Sequence, residues 1–245
     1  MKGVILAGGI GTRLYPLTKV INKHLLPVGK EPMIFNPIRQ LISAGIVDIL
    51  VVTGKDHMGE IVRLLGGGSD FKCNFTFRVQ EKAGGIADAL SLAEDFVGTD
   101  QFVVILGDNI LTHSIREYVE TFKLQPRGAR ILLKRVGAPE RFGVAALDEQ
   151  NKMIIQIEEK PENPKSDYAV IGVYMYDPKV FEIIRGIIPS ERGELEITSV
   201  NNWYVKNNMV SYDIIKGDWT DAGTFESLLQ ANQMLFSIDN IIVGG

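Results

Sequence analysis

The sequence predicts an α/β fold, a Rossmann-like three-layer α/β/α arrangement with a mostly parallel central sheet and an inserted lobe. Three observations carry this. Short apolar runs alternate with amphipathic stretches of helical period through residues 1–136. The runs at 3–7, 48–53 and 102–106 are continuously apolar, as in strands covered on both faces, rather than alternating. No linker rich in Gly, Ser or Pro divides the chain, so 1–245 reads as one domain: a first part at 1–136, a second at 137–220 and a C-terminal helical part at 221–245.

The elements follow in order. Residues 3–7 form a buried strand that stops at Gly8 and Gly9, and 33–44 form a helix stopped by Gly45. A strand at 48–53 and a helix at 57–65 come next, followed by Gly66, Gly67 and Gly68. Residues 74–79 alternate polar and apolar, giving a strand with one covered face, and Cys73 reads as a small buried residue at its start. A helix at 85–96 leads to the strand at 102–106, which ends at Gly107-Asp108-Asn109. Helix and strand alternate once more at 115–123 and 131–136. Beyond about residue 140 the texture changes: strands at 143–147, 153–158 and 168–176, with short helices between them, make the inserted lobe, packed on the same sheet. The last helix spans 224–236. In such sheets ligands sit beyond the carboxyl ends of the strands, where the loop after residue 7 and the turn at 107–109 both fall.

Composition removes several function classes. A net charge of −4 argues against a general nucleic-acid or anionic-membrane partner, both of which require a basic face. No stretch approaches the ~20 apolar residues of a membrane span, and the apolar run at 4–7 is too short for a signal peptide. One cysteine excludes an internal disulfide and fits a reducing compartment. The expectation is a cytoplasmic protein.

The residues that carry chemistry lie at the strand ends. Leu6-Ala7-Gly8-Gly9-Ile10-Gly11-Thr12-Arg13 passes from a strand directly into three glycines and an arginine. Glycines allow a tight turn and close approach of a ligand, successive N–H groups cradle an anion, and a guanidinium suits phosphate. Leu14 stands where the dinucleotide fingerprint needs a glycine, and no Gly-Lys-Ser/Thr follows, so neither better-known phosphate loop is present. Lys23 is either a second phosphate cation or a solvated surface lysine. His24 contacts a base or packs. Asp108, at a strand's carboxyl end, is placed to hold a metal. Magnesium takes one or two carboxylates plus substrate phosphates, so a second is expected, and Asp221 offers it unless it only caps the last helix. Glu159 and Lys160 are a hydroxyl acceptor and a phosphate cation, or a charged surface turn. Glu196 is a further candidate for hydroxyl recognition.

Six segments together resemble one family: residues 6–14 (LAGGIGTRL), 23–27 (KHLLP), 106–110 (LGDNI), 158–161 (EEKP), 193–198 (GELEIT) and 219–224 (WTDAGT). From residue 1 to about 236 the chain is similar to the sugar nucleotidyltransferases, and within them to those that couple dTTP with glucose 1-phosphate. The resemblance implies Mg²⁺-dependent in-line displacement at the α-phosphate, giving dTDP-glucose and pyrophosphate, by a homo-oligomer. It implies that Leu6, Gly8, Gly9, Gly11, Thr12 and Arg13 hold the nucleotide, Arg13 stabilising the leaving pyrophosphate, and that Lys23 holds the α-phosphate. Gln80 and Gly85 would read the base, Gln80 offering both a donor and an acceptor to thymine or uracil. Asp108 and Asp221 would bind Mg²⁺. Phe142, Gly143, Glu159, Lys160 and Val170 would hold the sugar phosphate, with Glu196 and Trp219 lining the same pocket. Arg13, Lys23 and Lys160 would be the catalytic cations.

The chain departs from many relatives at His24 and Asp88, where Gln is common, at Ser199, where Asp is common, and at Phe142, where Tyr is common. Many bacterial relatives also carry a longer C-terminal extension that helps build a regulatory nucleotide site, so feedback regulation of that kind is not expected here. UTP is the alternative donor. A non-catalytic nucleotide-binding regulator is the alternative class, but it predicts losses at Arg13, Lys23 or the aspartates, and all are present.

Overall fold

The computed structural model describes residues 1–243; Gly244 and Gly245, at the end of the expected C-terminal part, lie outside the described residues. β1 (Lys2–Ala7) leads through short 3-10 turns to a two-residue hairpin, β2 (Pro27–Val28) and β3 (Glu31–Pro32), and to α1 (Phe35–Ser43). Then come β4 (Asp48–Gly54), α2 (Met58–Leu65), β5 (Asn74–Gln80), α3 (Ile86–Ser91), α4 (Glu94–Val97), β6 (Phe102–Leu106), β7 (Asn109–Leu111), α5 (Arg116–Lys123) and β8 (Ala129–Arg135). The remainder comprises β9 (Gly143–Asp148), β10 (Met153–Glu159), β11 (Tyr168–Tyr176), α6 (Lys179–Gly186), α7 (Ile197–Lys206), β12 (Val210–Ile214), β13 (Trp219–Asp221) and α8 (Phe225–Val243).

One sheet of nine strands carries both parts of the chain. β5, β4, β1 and β6 run parallel, so their carboxyl ends share one edge. β11 joins β6 antiparallel and carries β8 on its other side, with β12 parallel to β8. The β9–β10 hairpin attaches at the start of β11, through Ala169 opposite Val144.

Strand alternation makes the three layers. Val4, Leu6, Leu50, Val52 and Val104 face one way, onto Ala87 and Leu90 of α3, Phe181 and Ile184 of α6, and Val200 and Tyr204 of α7. Ile5, Val51, Val103 and Ile105 face the other way, onto Ile38 and Leu41 of α1, Ile61 and Leu65 of α2, and Val119 and Phe122 of α5. At roughly 1.5–3 kcal/mol for each fully buried aliphatic or aromatic side chain, these two faces hold the sheet between its helices. A third cluster joins Leu14, Leu26, Val28, Met33, Ile110 and Ala222 to Ala231 on α8. Leu14 follows Arg13 and Ala222 follows Asp221, so this cluster fixes the segments bearing both.

The strands at the centre of the sheet lie where the apolar runs place them, within a residue or two. Cys73 is buried one residue before β5. The helix expected at 85–96 is two short helices: the backbone drifts to ψ −10 at Leu92 and −6 at Ala93, and Ala93 N–H bonds to the Leu90 carbonyl at 3.0 Å, three residues back. The last helix runs seven residues past the expected stop at 236. β7 and β13, not anticipated, form a two-stranded ribbon that sets Asp221 opposite Asn109. Among the described residues no helix is long and apolar enough to cross a membrane.

Candidate active site

Two cavities adjoin at the carboxyl edge of the parallel strands and share Asp108. The first, about 240 Å³, is lined by Leu6, Gly8, Gly9, Lys23, Gln80, Gly85 and Asp108. The second, about 220 Å³, is lined by Arg13, Asp108, Phe142, Gly143, Glu159, Lys160, Val170, Trp219 and Asp221. A larger cavity of about 370 Å³, between the β2–β3 hairpin and Leu235, brings together no such set; its Glu31 carboxylate is already paired with Arg39.

The glycine loop works by close approach. A side chain on Gly8 would place Cβ 2.7 Å from Gln80 Oε1, and one on Gly9 would lie 3.3 Å from Lys23 Cε. Bare backbone here lets the Gln80 amide and the Lys23 stem reach the cavity. Gly11, at φ 73, turns the chain into the 3-10 turn Thr12–Leu14 that presents Arg13. Gly11 and Thr12 do not line either cavity: Gly11 backs onto Lys23 Cβ, and its carbonyl accepts from the Thr18 hydroxyl at 2.6 Å.

Lys23 Nζ donates to Asp108 Oδ2 at 2.5 Å. Burial would raise the Asp108 carboxyl, but the Lys23 charge and hydrogen bonds from Lys23 and Asn109 hold it well below the ordinary carboxylate range. His24 is buried, and its Nδ1 and backbone N–H both meet Asn22 Oδ1, at 2.7 and 2.8 Å. Burial and the neighbouring Lys23 push its pKa down to about 3, so the imidazole is neutral. Its ring lies where a Gly107 side chain would stand, 2.7 Å from Cδ2, which explains the glycine before Asp108.

Asp221 faces the same space. The Cβ position that Gly223 lacks is 3.7 Å from Asp108 Oδ2, 3.7 Å from Asp221 Oδ2 and 3.1 Å from Arg13 Nη2. Burial and the Asp108 charge push the Asp221 carboxyl up to about 6, against Arg141, Arg13 and Lys23. Two carboxylates forced together in this way suit a divalent cation. Among the described residues no three His, Cys, Asp or Glu side chains converge on one point, so a protein-only cage is absent. A pair of carboxylates open to a cavity is instead the donor set that magnesium shares with substrate phosphates.

In the second cavity Asn109 is the hub, and sequence reading passed over it. Its Oδ1 accepts from the Trp219 indole at 2.7 Å and from Gly172 N–H at 2.8 Å, and its Nδ2 donates to Asp108 Oδ1 at 3.1 Å. Trp219 in turn packs edge-on against Phe142, with centroids 5.2 Å apart. Glu159 Oε2 accepts from Thr198 Oγ1 at 2.5 Å, and Lys160, at φ 44, turns its ammonium back to 3.8 Å from Glu159 Oε1. Glu196 lies behind the lining, its carboxylate drawn to the Ser190 hydroxyl and to Arg192, each at 2.8 Å. Arg141, Thr198, Tyr174 and Asn201 also line this cavity without having been singled out. Thr198 and Asn201 had a signal, since they lie three apart at the start of α7 beside the Glu196 motif.

A family model described as nucleotidyl transferase matches residues 2–237. The chain belongs to the nucleotidyl transferase family. Nucleotidyl transferases generally use a divalent metal ion. Among curated relatives, a glucose-1-phosphate thymidylyltransferase from Neisseria meningitidis is 43% identical over 98% of this chain and 84% of its own length. A Bacillus anthracis structure assigned as a glucose-1-phosphate thymidylyltransferase, in complex with sucrose, superposes with a TM-score of 0.91 at 59% identity, over 95% of this chain and 94% of that one. A UDP-glucose pyrophosphorylase with bound UDP-glucose superposes with a TM-score of 0.85 at 25% identity, over 96% and 98% of the two chains.

Proposed function

We propose that this nucleotidyl transferase moves a thymidylyl group from dTTP to α-D-glucose 1-phosphate, releasing pyrophosphate, with Mg²⁺ held by Asp108 and Asp221. One observation carries the reading: two cavities of similar size, about 240 and 220 Å³, meet at a shared aspartate, with cations on both sides. The first fits a nucleoside, bounded by Gln80 and the glycine loop. The second fits a hydroxylated sugar phosphate, with Glu159 as acceptor and Lys160 as cation.

The chemistry needs little from the side chains beyond position and charge. The acceptor phosphate is already anionic and attacks the α-phosphorus without a general base. Lys23 holds the α-phosphate, Arg13 the leaving pyrophosphate and Lys160 the acceptor phosphate, so that the reacting atoms are aligned and their charge offset. The metal, when bound, supplies charge neutralisation on the phosphate oxygens. The likeness to a UDP-glucose pyrophosphorylase favours a second reading, with UTP as donor.

The test is pyrophosphate release with dTTP, UTP, CTP and ATP, each with glucose 1-phosphate and Mg²⁺. Fastest release with dTTP is expected. Fastest release with UTP moves the donor to the second reading, and release with none of the four rejects both.

A further inference from the structure

We propose that Asp88 sets nucleobase choice by locking the Gln80 carboxamide in one orientation, with its carbonyl toward the base. This rests on the nucleotide lying in the first cavity, as proposed above. Gln80 closes β5 at its carboxyl end and is 9% exposed. Its Nε2 donates to Asp88 Oδ2 at 2.7 Å and to the Gly85 carbonyl at 3.3 Å. Both partners only accept, so the amide nitrogen must face them: turning the amide over would set its carbonyl oxygen against a carboxylate and a carbonyl. The bond to a carboxylate is of the stronger, charge-assisted kind. Gln80 Oε1 is thereby left on the opposite side, where Gly8 has no side chain to cover it.

The consequence differs from what Gln80 offers as a free residue. A free carboxamide presents a donor and an acceptor and adapts to either pattern on a base. Here the donor is spent on Asp88 and Gly85, and the cavity sees an acceptor alone. Thymine and uracil carry an N–H at N3 that matches it. Cytosine has a bare, accepting N3 and sets acceptor against acceptor. Asp88 touches no substrate in this account; it is a positioning residue on the first turn of α3, acting through Gln80.

Asp88→Asn keeps the volume but provides both a donor and an acceptor, so the Gln80 amide can sit either way. Asp88→Leu removes the partner and serves as an independent second variant. The measurement is equilibrium binding of dTTP and dCTP to the full chain, with melting curves confirming that each variant is folded. The ratio of dTTP to dCTP affinity is expected to fall about tenfold in Asp88→Asn, mostly through tighter dCTP binding. A ratio unchanged within about twofold in both folded variants overturns the proposal, as does equal loss of both nucleotides, which would mark Asp88 as merely structural. Pyrophosphate release by the unmodified protein, measured alongside, reports on the reaction separately. A fallen binding ratio without release supports Asp88 and rejects the reaction, whereas release favouring dTTP with an unmoved ratio rejects Asp88 alone.

Discussion

Lys23 Nζ and Asp108 Oδ2 form a 2.5 Å ion pair in which the two side chains are only 12% and 14% exposed. The residue assigned to the α-phosphate and the residue assigned to the metal therefore pair with each other. The pairing keeps two opposite charges in a sheltered site without leaving either unpaired. Lys23→Ala is expected to slow transfer by about 10²–10³-fold, as for loss of one preorganised charge donor. The same variant is expected to bind Mn²⁺ more tightly than the unmodified protein in the absence of nucleotide, because the competing ammonium is gone. Electron paramagnetic resonance titration of free Mn²⁺ checks this. Weaker Mn²⁺ binding would show that Lys23 does not compete for Asp108.

Asp221 links the site to stability. Its folded-state pKa of about 6 lies above the ordinary 3.8, so the fold favours the protonated carboxyl. That favourable contribution is complete below about pH 3.8 and is lost as pH rises through 6. The shift is about two pH units at ~1.4 kcal/mol each, so ionised Asp221 costs on the order of 3 kcal/mol at pH 8 in the metal-free protein. Asp221→Asn is therefore expected to melt higher than the unmodified protein at pH 8 without metal, with the gap closing toward pH 4. Melting curves across this range, with and without Mg²⁺ plus nucleotide, test it; a gap that widens on acidification contradicts the assignment.

Gly8→Ala puts a methyl group 2.7 Å from Gln80 Oε1 as the structure stands, so the amide must move. The KM for the nucleotide is expected to rise by roughly tenfold while that for the sugar phosphate changes little, since Gly8 borders only the first cavity. Steady-state kinetics with each substrate varied in turn would expose a uniform loss, which this account does not allow.

Asn109→Leu deletes the acceptor shared by the Trp219 indole and Gly172 N–H. At about 1–3 kcal/mol for each of the two orphaned buried donors, a loss of roughly 2–6 kcal/mol is expected by chemical denaturation. Gly172→Ala tests the same hub from the other side, because its Cβ would lie 2.6 Å from Asn109 Nδ2 and 2.7 Å from Leu106. If both variants unfold at the denaturant concentration of the unmodified protein, Asn109 does not organise this wall.

Periodicity located β1, β4 and β6 because buried parallel strands are continuously apolar, and the glycine loop and Asp108 follow from where those strands end. The ribbon of β7 and β13 was not legible, since three-residue strands carry no period; only the fold brings Asp221 to Asn109 across more than a hundred residues. The family resemblance singled out Gln80 for the base, but the engagement of its amide donor was not legible, because that depends on Asp88 meeting it across the turn from β5 to α3. Glu196 shows the converse. Its motif was legible, yet Ser190 and Arg192 both hold its Oε1, and Thr198, two residues on, is the one that reaches Glu159.

In the proposed reaction the two substrates meet across Asp108 and react in a single in-line step. The configuration at phosphorus in the product from a chiral α-thio analogue of dTTP and glucose 1-phosphate tests it most directly. Inversion is the predicted result; retention would require a covalent nucleotidyl intermediate and would contradict the account.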